Sequence, residues 1–429
     1  MIRSFTYLFI LLSYFANGQE TPAKKQNKSI LLLNGTAHVG TGKVIKRSAI
    51  GLENGKITMV ENALTKTIDT STFDTVINIK NKHIYPGFIA LNSTIGLLDI
   101  EAIRATRDYR EVGSFNPNIR TLIAYNTDSK ITPTIRTNGI LMGQICPRGG
   151  VISGTSSVVQ FDAWNWEDAV VKKDEGIHLN WPFYKLSKNN KDGNEKYSYI
   201  NSVAKINDYF NQCIAYKKAN NNGEVDIRLE AMKDLFNGKK QLYVHANFIK
   251  ELSDIINFKK KFNIERLCIV GGYDSWMVAK RLKENNISVL ITRVHGLPKR
   301  DHDDIYLPYK LPGLLAKSDV LFCIQNAGDM EQMITRNLPF MVGTAIAFGL
   351  DYEKGVASVT LNAAKVLGID HRLGSLEQGK EATLFISTGD AFDVITNNVE
   401  MAFINGREIS LSNHQIKNYL KYKKKYGIK

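Results

Sequence analysis

Two Asn-Gly pairs bracket most of this chain, and they constrain its fold more than any other local feature. Ala49-Ile50-Gly51-Leu52 and Ile57-Thr58-Met59-Val60 are joined by Glu53-Asn54-Gly55-Lys56. Far downstream, Met401-Ala402-Phe403-Ile404 and Arg407-Glu408-Ile409 flank Asn405-Gly406. Asn and Gly tolerate positive φ, which a two-residue hairpin turn requires, so each pair predicts a tight β-hairpin. Ile30-Leu31-Leu32-Leu33, followed by a turn at Asn34-Gly35, and Ala382-Thr383-Leu384-Phe385-Ile386 read as further strands. Two β-rich ends separated by roughly 280 residues point to one small β-sandwich domain assembled from both termini.

Between those ends the pattern alternates strands with helices. Leu242-Tyr243-Val244-His245-Ala246 is a short apolar strand, followed by a helical pattern from Phe248 to Lys261. Leu267-Cys268-Ile269-Val270 precedes a helix near Trp276 to Asn285, and Val289-Leu290-Ile291-Thr292 and Val320-Leu321-Phe322-Cys323-Ile324 are further strands. This alternation predicts an α/β fold, a parallel (β/α)8 TIM-like barrel. With 429 residues, the chain has room for one such barrel and a small companion domain. The polar stretches Ser187 to Lys196 and Lys217 to Glu224 read as exposed loops.

The first residues read as an export signal. Arg3 precedes an apolar run from Phe5 to Phe15, and Ala16-Asn17-Gly18 has the small-x-small pattern of a cleavage site. The run is short for a membrane span, so we expect an exported protein, periplasmic or secreted, with no membrane span in the mature chain. The predicted organisation is a leader over 1–18, the β domain over 19–85 and 371–412, the barrel over 86–370 and a basic carboxy-terminal helix over 413–429. Cys146, Cys213, Cys268 and Cys323 are widely spaced with no Cys-x-x-Cys, which argues against a structural zinc and for buried free thiols, with a disulfide left open. A net charge of +14 favours anionic surfaces in general, but no nucleic-acid-binding motif accompanies it, so no nucleic-acid partner is expected.

Several segments resemble the amidohydrolase superfamily. They are Pro86-Gly87-Phe88-Ile89, the helix-like run Val359-Thr360-Leu361-Asn362-Ala363-Ala364-Lys365-Val366-Leu367-Gly368-Ile369, and the return segment Leu373-Gly374-Ser375-Leu376-Glu377-Gln378-Gly379-Lys380. Asn116-Pro117-Asn118, Arg148-Gly149-Gly150-Val151-Ile152-Ser153-Gly154 and His295-Gly296-Leu297-Pro298-Lys299-Arg300 are similar to segments of its imidazolonepropionase-like and dipeptidase-like branch. The resemblance implies hydrolysis of a carbon–nitrogen bond by a divalent metal held at the carboxyl ends of barrel strands.

This chain departs from that pattern where the chemistry sits. The resemblance places the first-strand histidine pair on Asn92 and Thr94, a bridging lysine on Gln160, later histidines on His245 and Gly271, and the last-strand aspartate on Asn326. Of these only His245 keeps a strong ligand, so we expect a degenerate site with no metal; zinc or another divalent ion becomes the expectation only if the ligands are supplied differently. The expected catalytic groups are His245 as general base and His295, or alternatively Arg293, as oxyanion stabiliser. Asn92, Arg293, Arg300 and Asn326 are the expected ligand-binding residues. Asp99 and Glu101 read as a solvated face, Asp274 as a helix cap, and His83 as lying at the opposite end of the barrel. Asp301-His302-Asp303-Asp304 is a lesser candidate for a separate metal cluster, since adjacent loop residues rarely all point inward. Two functions follow: a nominal hydrolase of non-peptide or peptide-like carbon–nitrogen bonds, or a non-catalytic pseudoenzyme that binds a small ligand or pairs with an active relative. Homo-oligomers fit either one.

Overall fold

The structure, a computed structural model, describes residues 21–184, 194–219, 224–328 and 330–428. The predicted leader lies outside these residues, as does most of the first polar stretch. Residues 194–196 of that stretch open a long helix, Asn194–Lys218, which also takes in the start of the second.

In chain order the strands are β1 (Ile30–His38), β2 (Val44–Glu53), β3 (Lys56–Asn62), β4 (Thr75–Asn78) and β5 (His83–Pro86). Next come β6 (Phe88–Ser93), β7 (Ile140–Ile145), β8 (Ile152–Gln160), β9 (Val170–Asn180), β10 (Gln241–Ala246), β11 (Leu267–Gly271), β12 (Ile287–Ile291) and β13 (Phe322–Ile324). The last three are β14 (Leu384–Ser387), β15 (Val399–Ile404) and β16 (Arg407–Glu408). The first five and last three strands form one sheet, ordered β16-β15-β14-β5-β1-β2-β3, with β4 on β1. Leu384 of β14 pairs with Pro86 of β5, which is where the two ends of the chain meet.

Of the three Asn-Gly pairs read above as turns, two make the turns expected of them. Asn54 and Gly55 have φ of 48° and 79°, and Asn405 and Gly406 have 50° and 71°. Asn34-Gly35 does not turn. β1 runs straight through it with a bulge at Leu33/Gly35, and a Cβ on Gly35 would lie 2.7 Å from the Ile79 side chain. Here glycine serves close packing rather than reversal.

The remaining eight strands form the nearly closed barrel, ordered β6 through β13. It departs from the predicted all-parallel arrangement at one strand. β8 runs antiparallel to both β7 and β9, while β6–β7 and the series β9 to β13 are parallel. A reversed strand ends at the opposite rim from its neighbours, and this moves one of the predicted site residues.

β6 and β13 end the strand order, so their outer edges need other partners. The segment around the helix Leu361–Leu367 supplies them. Ile89 N–H donates to the Val359 carbonyl at 2.9 Å, and Asn362 Nδ2 donates to the Phe322 carbonyl at 3.0 Å. Ala363, Ala364, Val366 and Leu367 then pack against the barrel-lining Ile89, Met142, Tyr243, Cys268 and Leu290. The helix is thus a plug that completes both the hydrogen bonding and the apolar filling of the barrel. All four cysteines are buried free thiols. Among the described residues no helix is long and apolar enough to cross a membrane.

Asp162 ties three parts of the chain together. Its carboxylate pairs with Arg136 at 2.9 Å and Arg407 at 3.2 Å and accepts the Ala23 N–H at 2.9 Å, with Arg136 and Asp162 almost fully buried. Removing one partner of a buried ion pair strands the other charge, which costs about 3–5 kcal/mol. Asp162→Ala is therefore expected to lose stability on that scale in urea denaturation. A loss under ~1 kcal/mol, the surface-pair range, would show that the cluster is not holding the two ends of the chain.

Candidate functional site

The carboxyl ends of the parallel strands open into a cavity of about 460 Å³. It is lined by Asn92, Thr94, Arg148, His245, Asn247, Gly271, Gln325, Glu331 and Gln332, with Glu101 at its edge.

Asn92 ends β6 in an unusual way. Its φ is 51°, the left-handed region that asparagine tolerates better than most residues, and the β6–β7 register breaks between Ala90 and Ser93. Its groups are nearly all used. The backbone N–H donates to Gln144 Oε1 at 3.0 Å, the backbone carbonyl accepts from Arg148 Nη2 at 2.8 Å, and Nδ2 donates to Gln325 Oε1 at 2.9 Å. The last bond joins β6 to the end of β13, across the barrel seam. Oδ1, lacking a hydrogen-bond partner, belongs to a cavity-lining side chain.

Arg148 follows β7 and places a fixed positive charge in the mouth. Burial opposes that charge, but Glu331, at 2.9 Å, and the neighbouring Cys146 hold the guanidinium pKa above its ordinary value. Glu331 in turn accepts the Gly328 N–H at 3.0 Å. The cation is therefore locked between strand end and helix start, not free to swing.

His245 lines the cavity from β10, where the sequence placed it. Its partner is one that sequence reasoning missed. His178 Nδ1 lies 3.0 Å from His245 Nε2, and its ring stacks on Tyr243 at 4.8 Å. Burial, then the fixed charge of Arg148, pushes His245 down to about 3. Burial, then His245 and Arg148, pushes His178 well below the usual imidazole value. A neutral pair sharing one proton between facing nitrogens is the arrangement this environment favours. The local clue to His178 was Gly176-Ile177-His178-Leu179-Asn180, an alternating strand end hidden behind the charged run Lys172-Lys173-Asp174-Glu175.

Beneath the mouth, Glu175 is buried and accepts from Ser156 Oγ at 2.5 Å, Gln144 Nε2 at 2.6 Å and Tyr243 Oη at 2.9 Å. Burial raises its pKa despite these three donors. A polar chain thus runs from Asn92 through Gln144, Glu175 and Tyr243 to the stacked His178.

The other expected residues fall in different places. His295 does not share the cavity of His245. It is exposed, bonds Thr344 Oγ1 at 2.7 Å and lines a separate cavity of about 600 Å³ with Tyr352 and Asp390, so it cannot serve as an oxyanion donor to a group bound beside His245. Arg300 is bound to the buried Asp274 and to Asp303 and stacks over Tyr273, which makes it a structural partner rather than a lining residue. Asp303 is consumed in that same group, so the acidic run beside it forms no metal cluster. Asp274 accepts the Ile249 N–H at 3.1 Å, on a different helix from the one it was expected to cap. Arg293 Nη2 donates to the Asn326 carbonyl at 3.1 Å, behind the rim. Asn326 is buried with its Nδ2 on the Glu331 carbonyl at 3.1 Å, and it is the preceding Gln325 that faces the cavity. Gln160, on reversed β8, sits at the opposite end, where its Oε1 accepts from Asp162 N at 2.9 Å and Arg407 Nη2 at 3.4 Å. Glu101, read as a solvated face, lines the mouth. His83 stacks on His38, away from this cavity.

The donor set does not fit a divalent metal. Asn92 and Thr94 offer an amide and a hydroxyl, and the two imidazoles are hydrogen-bonded to each other. At Gly271 the backbone has φ of 107°, and a Cβ would stand 2.7 Å from Asn247 Oδ1, so a histidine there requires a different backbone. Among the described residues no group of three or more His, Cys, Asp or Glu is placed to hold a metal.

Residues 311–409 match the model of the amidohydrolase family. Over this segment, less than a quarter of the chain, it is similar to the amidohydrolase family. The match takes in the plug helix and the carboxy-terminal strands, while Asn92, Arg148, His178, His245 and Gly271 lie outside it. An amidohydrolase from Thermotoga maritima MSB8 shares its fold at TM-score 0.75 and 23% identity, over 88% of this chain and 99% of that one. A Xaa-Pro dipeptidase with bound methionine superposes at TM-score 0.52 and 14% identity, over 89% of this chain and 99% of that one. A putative prolidase from Bifidobacterium longum does so at 0.53 and 13%, over 92% and 98%. No curated protein matches the sequence.

The histidine pair gives a direct test. Their folded pKa values lie below the unfolded 6.5, so an unfolded chain takes up protons first as pH falls. Their contribution is complete above pH 6.5 and is lost progressively toward about pH 3. In imidazole nitrogen NMR, both rings are expected to stay neutral from about pH 8 down to 5. Titration of either ring near pH 6.5 would contradict the buried, Arg148-facing arrangement.

Proposed function

We propose that this chain is an exported, amidohydrolase-like protein whose barrel mouth binds a small polar ligand and does not carry out metal-dependent hydrolysis. One observation carries the reading. Asn92 Oδ1, Thr94 Oγ1, Asn247 Oδ1 and both polar atoms of Gln332 are buried without hydrogen-bond partners, and all belong to residues that line the same cavity. Leaving a buried polar group unpaired costs about 1–3 kcal/mol. A protein that places several such groups around one cavity gives up stability that a ligand offering the complementary groups restores. Acceptor oxygens predominate among them, so the fitting ligand is rich in N–H or O–H donors. Arg148 supplies a fixed positive charge where the resemblance to amidohydrolases implies a metal ion.

The nominal hydrolase reading needs a base for the attacking water. Such a base works best with a pKa near the working pH. His245, held at about 3, is neutral but weakly basic, which favours hydrogen bonding over proton abstraction. The predicted leader, Arg3 to Gly18, supports export.

Gln332→Leu separates binding from folding. Removing two unpaired buried atoms is expected to raise the stability of the ligand-free chain by about 1–3 kcal/mol. The same change is expected to abolish retention of small molecules seen by native mass spectrometry of gently purified protein. A variant that is less stable and still carries the same small molecules would sink the proposal.

A further inference from the structure

We propose that the carboxy-terminal helix His414–Lys425 docks the protein on an anionic lipid surface. The helix has no buried residue, although its sequence is amphipathic. At 100° per residue, Ile416, Tyr419, Leu420, Tyr422 and Tyr426 share one face, and each is between 38% and 65% exposed. A helix that packs on its own domain turns such a face inward; this one turns it to solvent. Lys417, Lys421, Lys424 and Lys425 occupy the other face, and Lys423 falls within the apolar arc, where its long stem can carry the ammonium outward.

The helix is held at its base. Asn413 caps it through the Ile416 N–H at 2.8 Å, and Gln415 accepts from Thr134 of the helix Ile131–Arg136 at 3.1 Å. Arg136 of that same helix pairs with Asp162, which holds Ala23. The basic helix is thus tied to the helix Ile131–Arg136 directly, and Ala23 is tied to it through Asp162.

Charge and chemistry choose the partner. No acidic residue occurs from Ser410 to Lys429, against six lysines. A second copy of a chain with net charge +14 would bring like charge to this face. A nucleic acid would neutralise the lysines but leave Ile416 and Leu420 in water. An anionic bilayer takes both: lysines at the headgroups, aliphatic side chains in the acyl boundary, tyrosines between. Lys425 already lies over the Tyr422 and Tyr426 rings at 5.9 and 5.2 Å, which keeps charge and aromatic surface together.

The test is sedimentation of the exported chain with vesicles of phosphatidylglycerol and phosphatidylethanolamine, against vesicles of phosphatidylcholine. Binding to the anionic vesicles alone, weakened by salt, is expected. Lys421→Gln/Lys424→Gln/Lys425→Gln is expected to lower it about a hundredfold at low salt. Tyr419→Ser/Leu420→Ser is expected to lower it too, and both variants keep the parent melting temperature because the helix covers no core. Absence of binding by the parent chain overturns the proposal, as does a lysine variant that binds like the parent. Self-association abolished by Tyr419→Ser/Leu420→Ser without any vesicle binding also overturns it, in favour of a contact between copies. Salt-sensitive binding to nucleic acid that survives that variant, with no vesicle binding, does so as well.

Discussion

The seam between the first and last barrel strands is the constraint on which the rest of the molecule depends. A barrel with an unclosed edge exposes backbone donors and acceptors that need other partners. Here the floor of the seam is closed by backbone and amide bonds from the segment Val359 to Asn362, and its mouth by the amide pair Asn92 and Gln325. Closing the mouth with amides fixes what Asn92 can be. Its backbone is left-handed and every group except Oδ1 is engaged in holding β6, β7 and β13 in register. The residue at that position therefore serves the architecture as well as the cavity.

The electrostatics of the mouth follow from the same closure. Arg148 is drawn in by the Asn92 carbonyl and locked by Glu331, so the strongest charge near the cavity is a guanidinium. Beside a fixed cation and largely withdrawn from solvent, the imidazoles are held neutral, and His178 and His245 satisfy each other. Gly271 completes the change, because its positive φ and the close approach of Asn247 leave no room for a side chain. The differences from a metal-binding mouth are thus coupled: an arginine charge, an uncharged histidine pair, an amide seam and a glycine turn support one another.

Much of the fold was legible in the sequence because its signals are local. Asn54-Gly55 and Asn405-Gly406 mark hairpins by what their backbones tolerate, and the apolar strands β10 to β12 stand out between amphipathic helices. The plug was legible as a motif, though its role in closing the seam needed the structure. What stayed hidden was non-local. Strand direction leaves no trace in composition, so neither the placing of Gln160 at the far end of the barrel by the reversal of β8 nor the meeting of His178, on β9, with His245 was legible. Arg300 looked like a ligand-binding cation until its distant partner Asp274 was in view. Asn326 and Gln325 differ by one position along a three-residue strand, and only the packing decides which faces the cavity.

The central claim is that this mouth is built around a protein cation in place of a metal. The most direct measurement is the metal content of the purified chain by mass spectrometry, after incubation with zinc or manganese and desalting, alongside His245→Ala. The account predicts far less than one metal per chain in both proteins. Near-stoichiometric metal in the parent chain that disappears in His245→Ala would contradict it.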